Sequence, residues 1–415
     1  MDAGKDRPAG QNGKENNALW VMKSENSKFK IVIFLTVYLG VLFFANTAYA
    51  QAVGWYSQVY QPERLVGYTR EGCSIMLPYN GAWLPDKIGA YLDEAHRQGI
   101  KVLVDLRVES KLLSEQEFRQ IIRTHKNHPA LYGWYISDEP EYQRTSVDLL
   151  SRYYNYCKQE DPIHPVALVH SKSPNPKYVN YYDLLMVDYY PGWTLYDPNE
   201  FNWMVRDSYR IWRDGVQFAK QYKKIGFVAV GLGFGANENG TPNNGTRDLT
   251  YAEYRYHVFT AIVQGVDGFL FWWDQWTNSR IKPIIQQMIS QVQSIVVEMK
   301  NGITNDSQIS VNQSSNKVVY RHGANGNQHI ILAVNIAGYN VSNSGEKLTG
   351  VRFTLPSGIQ TSQVEVLNEN RTLPVINGVF TDNFDRFEVH AYRFVAGTTP
   401  SDTTPPAPPR GLRLE

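Results

Sequence analysis

Asp138 and Glu139, followed at once by Pro140, end the apolar and aromatic run LYGWYIS (131–137). Two adjacent carboxylates at the end of such a run are costly unless they face solvent, a partner or a substrate. A proline in the next position ends a strand without removing a donor from inside a sheet. An ionised Asp138 opposes ionisation of Glu139 and keeps a proton on it, the state that a general acid requires. The plainer reading of the pair is a capped or salt-bridged first helical turn, where acids are also favoured. Other acids stand at comparable places: Asp188 in MVDYYP, Glu238 in FGANENG and Asp274 in FWWDQW. Each has a plain reading too, as a solvated loop acid or a strand-end hydrogen bond. Asp105 and Arg107 end KVLVDLR as an ion pair or a substrate contact, and His170 ends HPVALVH.

Such groups need elements to position them. From 52 to 300, short β-branched or aromatic runs alternate with amphipathic stretches. The strand candidates are VGWYSQVY, CSIMLPY, KVLVDLR, LYGWYIS, HPVALVH, DLLMVDYY, GFVAVGLGF and GFLFWWD. Helical patterns such as SEQEFRQIIRTHKN (114–127) and TYAEYRYHVFTAIVQG (250–265) lie between most of them. Strands alternating with helices predict parallel βαβ units, and eight of them in this length predict an α/β fold closed as a (β/α)8 TIM barrel over 51–302. An open doubly wound sheet would want a Gly-rich phosphate turn after its first strand, and VGWYSQVYQPE has none. The first crossover, QPERLVGYTREG, leaves room for a helix of only a turn or two. After Asn301 the period changes to two between Gly and Asn turns, which predicts an antiparallel β-sandwich over 303–397. The Pro-rich SDTTPPAPPRGLRLE follows, and 398–415 reads as an extended linker or tail.

Composition excludes several classes of function. The 41 Lys and Arg against 40 Asp and Glu leave no basic surface for nucleic acid. Cys73 and Cys157 form no zinc spacing and no disulfide framework. No phosphate loop, Gly-x-Ser-x-Gly elbow or metal-spaced His/Asp/Glu cluster occurs, so no cofactor or metal is expected. Ten Trp and 27 Tyr can be plain core, and they equally suit the walls of a sugar-binding cleft. At the N-terminus, Lys28 and Lys30 precede IVIFLTVYLGVLFFA and then Ala48-Tyr49-Ala50. A basic region, an apolar core of about 15 residues and an A-x-A site predict a cleaved signal peptide and export. Cleavage is expected between Ala50 and Gln51. The run is short for a bilayer span of about 20 residues, so contact with the membrane is expected only in transit. Met22 opens a better-proportioned signal than Met1, which makes 1–21 an over-extended start or an unstructured leader.

Eight βα units, an acidic-Glu-Pro ending on the fourth strand and a trailing sandwich resemble the clan A glycoside hydrolases. The resemblance covers most of 52–396 in architecture but few residues by motif. It implies that Glu139 takes the acid/base position and that Asp138 stands where the family has Asn, which binds the sugar 2-hydroxyl. An Asp there accepts a hydroxyl hydrogen bond but cannot donate one as an amide would. The family's second carboxylate closes strand seven, where FVAVGLGFG offers only Leu232 or Gly233. Glu238, on the following loop, is the first substitute as nucleophile, with Asp274 and Asp188 as alternatives. Having no nucleophile at all remains the other choice, through inversion, substrate assistance or lost activity.

Aromatics at the same rim complete the expected site: Tyr79 and Trp83 after strand two, Tyr189, Tyr190 and Trp193 after strand six, and Trp272, Trp273 and Trp276 after strand eight. By alternation, only one of Trp272 and Trp273 faces the axis while the other packs against helices. The expected protein is a monomeric, exported glycosidase acting on a poly- or oligosaccharide. A carbohydrate-binding barrel that has lost its nucleophile and a transglycosylase are the alternatives.

Overall fold

The computed structural model describes residues 52–397 apart from 59, 80–84, 112, 192–202, 244, 300–308, 315 and 340–344. The signal segment, the Pro-rich tail, Trp83 and Trp193 lie outside the described residues. Eight parallel strands close in sequential order: β1 Ala52–Ser57, β2 Ile75–Pro78, β3 Lys101–Asp105, β4 Leu131–Asp138, β5 Val166–Ser171, β6 Leu184–Tyr189, β7 Gly226–Leu232 and β8 Gly268–Trp272. The helices are α1 Leu65–Arg70, α2 Pro85–Gln98, α3 Glu115–His125, α4 Val147–Glu160, α5 Trp203–Gln221, α6 Tyr251–Gln264 and α7 Lys282–Glu298. The short first crossover contains only a 3-10 turn and the six-residue α1.

The strands read as nearly continuous apolar runs because both faces are covered. Ile75, Leu77, Leu103, Val169, Met186, Val230 and Leu270 fill the barrel axis. Val53, Val102, Leu168, Val187 and Phe271 point the other way, into the helix layer.

After the barrel come β9 Ser310–Val311, β10 Val318–Asn325, β11 Gln328–Asn335, β12 Leu348–Thr354, β13 Gln363–Val366, β14 Arg371–Pro374, β15 Val379–Phe384 and β16 Val389–Val395. They form a five-stranded sheet ordered β10-β11-β16-β13-β14 and a three-stranded sheet ordered β15-β12-β9. Ile331, Phe353, Val364, Phe380 and Tyr392 fill the space between the sheets. Ile330, Leu332, Val334 and Ala391, on the other face of the larger sheet, join the core that surrounds the barrel.

Helix α6 shows the consequence. Every residue from Glu253 to Val263 is buried, because the helix lies between barrel and sheet and has no solvent face. Thr250 and Glu253 form a capping box at its start. The buried Glu253 carboxylate is paired with Arg247 at 2.6 Å.

At the same contact Arg255 reaches Glu369 at 3.7 Å, and His390 holds Glu369 at 2.6 Å and Glu388 at 3.3 Å. Burial opposes the His390 charge, but these carboxylates outweigh it and push its pKa up to about 9. The folded value exceeds the unfolded one, so the stabilisation is complete below about pH 6.5 and is lost as pH rises through 9. The urea midpoint of the wild type is expected to fall across that window by the equivalent of ~3 kcal/mol, and that of His390→Gln by much less. Parallel pH profiles for the two proteins would refute this.

Candidate active site

The site is assembled by an interruption in β4. Tyr135 pairs with Ala167 and Asp138 with Val169, and the register shifts by one residue between Tyr135 and Ser137. Ala167 and Val169 both face the axis, so the bulge turns Tyr135 and Asp138 inward together. Unbroken alternation would have sent Asp138 to the outer face. Ser137 instead points outward and donates to Glu109, which also accepts from Thr145 at 2.8 Å.

Asp138 is held on both oxygens. Oδ1 accepts from the Tyr135 hydroxyl at 2.8 Å and the Tyr56 hydroxyl at 3.1 Å. Oδ2 accepts from the Tyr79 hydroxyl at 3.2 Å and Arg107 Nη1 at 3.5 Å. Arg107 also bonds Asp105 at 3.0 Å, and its guanidinium lies 3.8 Å over the Tyr79 ring. Burial raises the Asp138 carboxyl above its ordinary value, against the pull of Arg107 and the tyrosyl hydroxyls.

Glu139 follows in a backbone conformation with φ of 44°, which a residue with a Cβ adopts at a cost of about 1–3 kcal/mol and which collects at functional sites. Its N–H donates to Val169 O at 3.0 Å, and its carbonyl accepts from Tyr142 and Gln143, both at 2.9 Å. The side chain bonds Asp188 and Ser171; burial and the charges of Asp138 and Glu141 raise its carboxyl above the ordinary range. Asp188, at the inward end of β6 and 4% exposed, is pushed well above its ordinary value by burial and then by Glu139. A like charge in hydrogen-bond contact disfavours ionisation of either carboxyl, so the two titrate as a pair.

Behind this pair, Glu141 accepts from Ser171 N–H at 2.6 Å and meets His170 Nδ1 at 3.0 Å. His170 is fully buried and lies against Tyr178 and Tyr182, outside the barrel axis. Tyr56, Tyr135, Ser171 and Glu141 were not singled out from sequence. The signal available was the tyrosine near the end of each of the runs VGWYS and LYGWY.

Of the three acids proposed as a second carboxylate, only Asp188 meets Glu139. Glu238 is exposed, and its carboxylate is taken by the Ser279 N–H and hydroxyl, both at 2.8 Å. Asp274 accepts from Ser57 and Tyr68, anchoring the loop after β8 to β1 and α1. Strand β7 is closed to an acid at Gly233 by its surroundings: a Cβ there would lie 2.7 Å from the Trp272 carbonyl and 2.8 Å from the Trp55 ring. Leu232 is fully buried, in the outer core.

The aromatics divide as well. Tyr190 stacks on Trp272 at 5.1 Å, and Trp273 meets Tyr79 edge-on at 4.9 Å. Both tryptophans therefore border the site, contrary to the expectation from alternation; β8 ends at Trp272, and alternation ends with it. Tyr189 turns outward to the Met204 carbonyl at 2.8 Å and packs on Trp212, so it does not reach the site. Trp276 is 47% exposed beside Trp272. Among the described residues, no group of three or more His, Cys, Asp or Glu side chains could hold a metal ion.

The chain is thus a closed parallel barrel with carboxyl groups gathered at the carboxyl ends of its strands, followed by an antiparallel sandwich. No family model matches the chain, and no curated relative matches it. Solved structures do. An α-amylase from Geobacillus thermoleovorans complexed with acarbose is 9% identical, with a TM-score of 0.54 over 84% of this chain and 99% of that one. A structure described as a glycoside hydrolase is 9% identical, with a TM-score of 0.53 over 83% and 92%. A glycoside hydrolase family 5 protein from Bacteroides vulgatus is 13% identical, with a TM-score of 0.51 over 83% and 89%. At these identities the likeness establishes the fold.

Proposed function

We propose that this chain is an exported glycoside hydrolase that cleaves O-glycosidic bonds of a poly- or oligosaccharide, with Glu139 as the proton donor. The observation that supports this reading is the contact of the Glu139 and Asp188 carboxyls at the carboxyl end of the barrel, where burial raises both above their ordinary values. Glu139 gives a proton to the departing glycosidic oxygen as the C–O bond breaks and the bonding electrons leave with the oxygen; a water molecule then bonds to the anomeric carbon and returns a proton to the Glu139 carboxylate. The field of Asp138, fixed by its phenol and guanidinium donors, favours the positive charge that develops on the sugar.

Hydrogen-bond contact with Glu139 is closer than the separations of about 5–5.5 Å for retention or 6.5–9.5 Å for inversion. Asp188 is therefore the group that shares a proton with Glu139, rather than the opposing nucleophile. Export rests on the basic and apolar N-terminal segment. Among the described residues no helix is long and apolar enough to cross a membrane.

A second reading, a sugar-binding barrel without hydrolysis, is favoured by one observation. The end of β7 has no acid, and Glu238 is tied to Ser279. A hydrolysis screen against a panel of polysaccharides, with Glu139→Gln as control, separates the two. Release of reducing ends by wild type alone supports hydrolysis, whereas none from any polymer removes it.

The pair also sets a pH dependence. Asp188→Leu keeps the burial but removes the hydrogen bond that lowers the Glu139 carboxyl, so Glu139 keeps its proton to higher pH. The alkaline limb of kcat/KM is expected to move up by about one pH unit, as loss of a hydrogen bond to the charged form does. An unmoved limb would show that Asp188 does not govern the acid.

A further inference from the structure

Among the described residues, three aromatic side chains are exposed: Tyr60 at 38%, Tyr142 at 77% and Trp276 at 47%. All three lie on loops that leave the carboxyl ends of strands, after β1, β4 and β8. The other exposed large hydrophobics are aliphatic and lie elsewhere. Ile163 and Ile225 precede β5 and β7 at the opposite end of the barrel, Val66 and Val297 are on helices, and Ile376 and Val395 belong to the sandwich.

This segregation has a direction. Strands β1 and β8 are hydrogen-bonded neighbours, and β4 stands half-way round the closed barrel from β8. Tyr60 and Trp276 thus follow neighbouring strands, and Tyr142 follows the strand half-way round, three residues past Glu139. An exposed aromatic face costs solvation free energy unless something covers it. The flat apolar faces of pyranose rings match such platforms in size and chemistry. A single ring does not span strand ends on opposite sides of a barrel, whereas a chain of several rings does.

We propose that the substrate is a polysaccharide chain lying across the mouth from the β8/β1 side to the β4 side, so that cleavage is internal. This rests on the hydrolase reading above, and the test separates the two. Wild type, Tyr142→Ala and, as a surface control, Ile163→Ala are assayed on soluble starch, glucuronoxylan, carboxymethylcellulose and galactan, each beside its trisaccharide. Wild type, Glu139→Gln and Tyr142→Ala are also run through native gels cast with each polymer.

Wild type is expected to release fragments longer than a disaccharide first. Tyr142→Ala is expected to lower the ratio of kcat/KM on polymer to that on trisaccharide about tenfold, equivalent to ~1.4 kcal/mol; Ile163→Ala keeps the wild-type ratio. Early release of monosaccharide alone, or an unchanged ratio in Tyr142→Ala, overturns the proposal. If no polymer is cleaved, the hydrolase reading fails by itself. Gel retardation that Tyr142→Ala abolishes would then sustain the bound chain, and its absence in every gel would overturn that too.

Discussion

Glu139→Gln is expected to lower kcat on a cleaved polysaccharide by about 10³-fold, within the range that a positioned general acid contributes. The amide matches the carboxyl in shape and keeps contacts to Asp188 and Ser171, so the loss is of the proton rather than of the loop. Two further readouts identify the missing function. A nitrophenyl glycoside, whose leaving group departs without protonation, should lose far less than the polymer does. The alkaline limb of the pH profile should disappear in the variant, because no acid is left to titrate. Stability at neutral pH should not fall. The Glu139 carboxyl is raised in the folded state, so its ionisation works against folding as pH climbs above the unfolded value, and glutamine removes that cost. Polymer turnover unchanged in Glu139→Gln would assign the chemistry to another group.

Arg107→Met is expected to destabilise the fold by ~3–5 kcal/mol, as removal of one partner from a buried ionic cluster does. The guanidinium is the positive charge in contact with both Asp105, whose side chain is fully buried, and Asp138, 15% exposed. Its plane also covers Tyr79, which donates to Asp138. Without it the Asp105 and Asp138 carboxylates lose the guanidinium that bridges them. The urea midpoint at pH 7 measures the loss. Lowering the pH should shrink the difference from wild type, because Asp138, already raised by burial, takes up a proton more readily once its cation is gone. Arg107→Lys should fall between the two, since an ammonium keeps the charge but not the planar fork or the ring contact. A midpoint within the equivalent of ~1 kcal/mol of wild type would mean that the tyrosyl hydroxyls alone support Asp138.

Much of the architecture was legible because it depends on local pattern. Apolar runs separated by amphipathic stretches specify βα units, and sequential units closed the barrel. The change to period two after Asn301 marked the sheets of the sandwich. The place of Asp138-Glu139 at the end of β4 followed from the same counting.

Counting failed where the ladder breaks. The bulge between Tyr135 and Ser137 turns Asp138 inward, and nothing in LYGWYISDEP shows which residue is the extra one. Past Trp272 the strand ends, and Trp273 follows its own loop onto Tyr79. The partner of Glu139 was similarly out of reach. Glu238 is on the loop after β7, yet Ser279 was free to take its carboxylate; Asp188, two strands along from β4, was brought to Glu139 by closure of the sheet. Sequence thus determined which residue types stand at the mouth of the barrel. Tertiary structure decided which of them touch, because facing across a closed sheet is set by register and curvature rather than by distance along the chain.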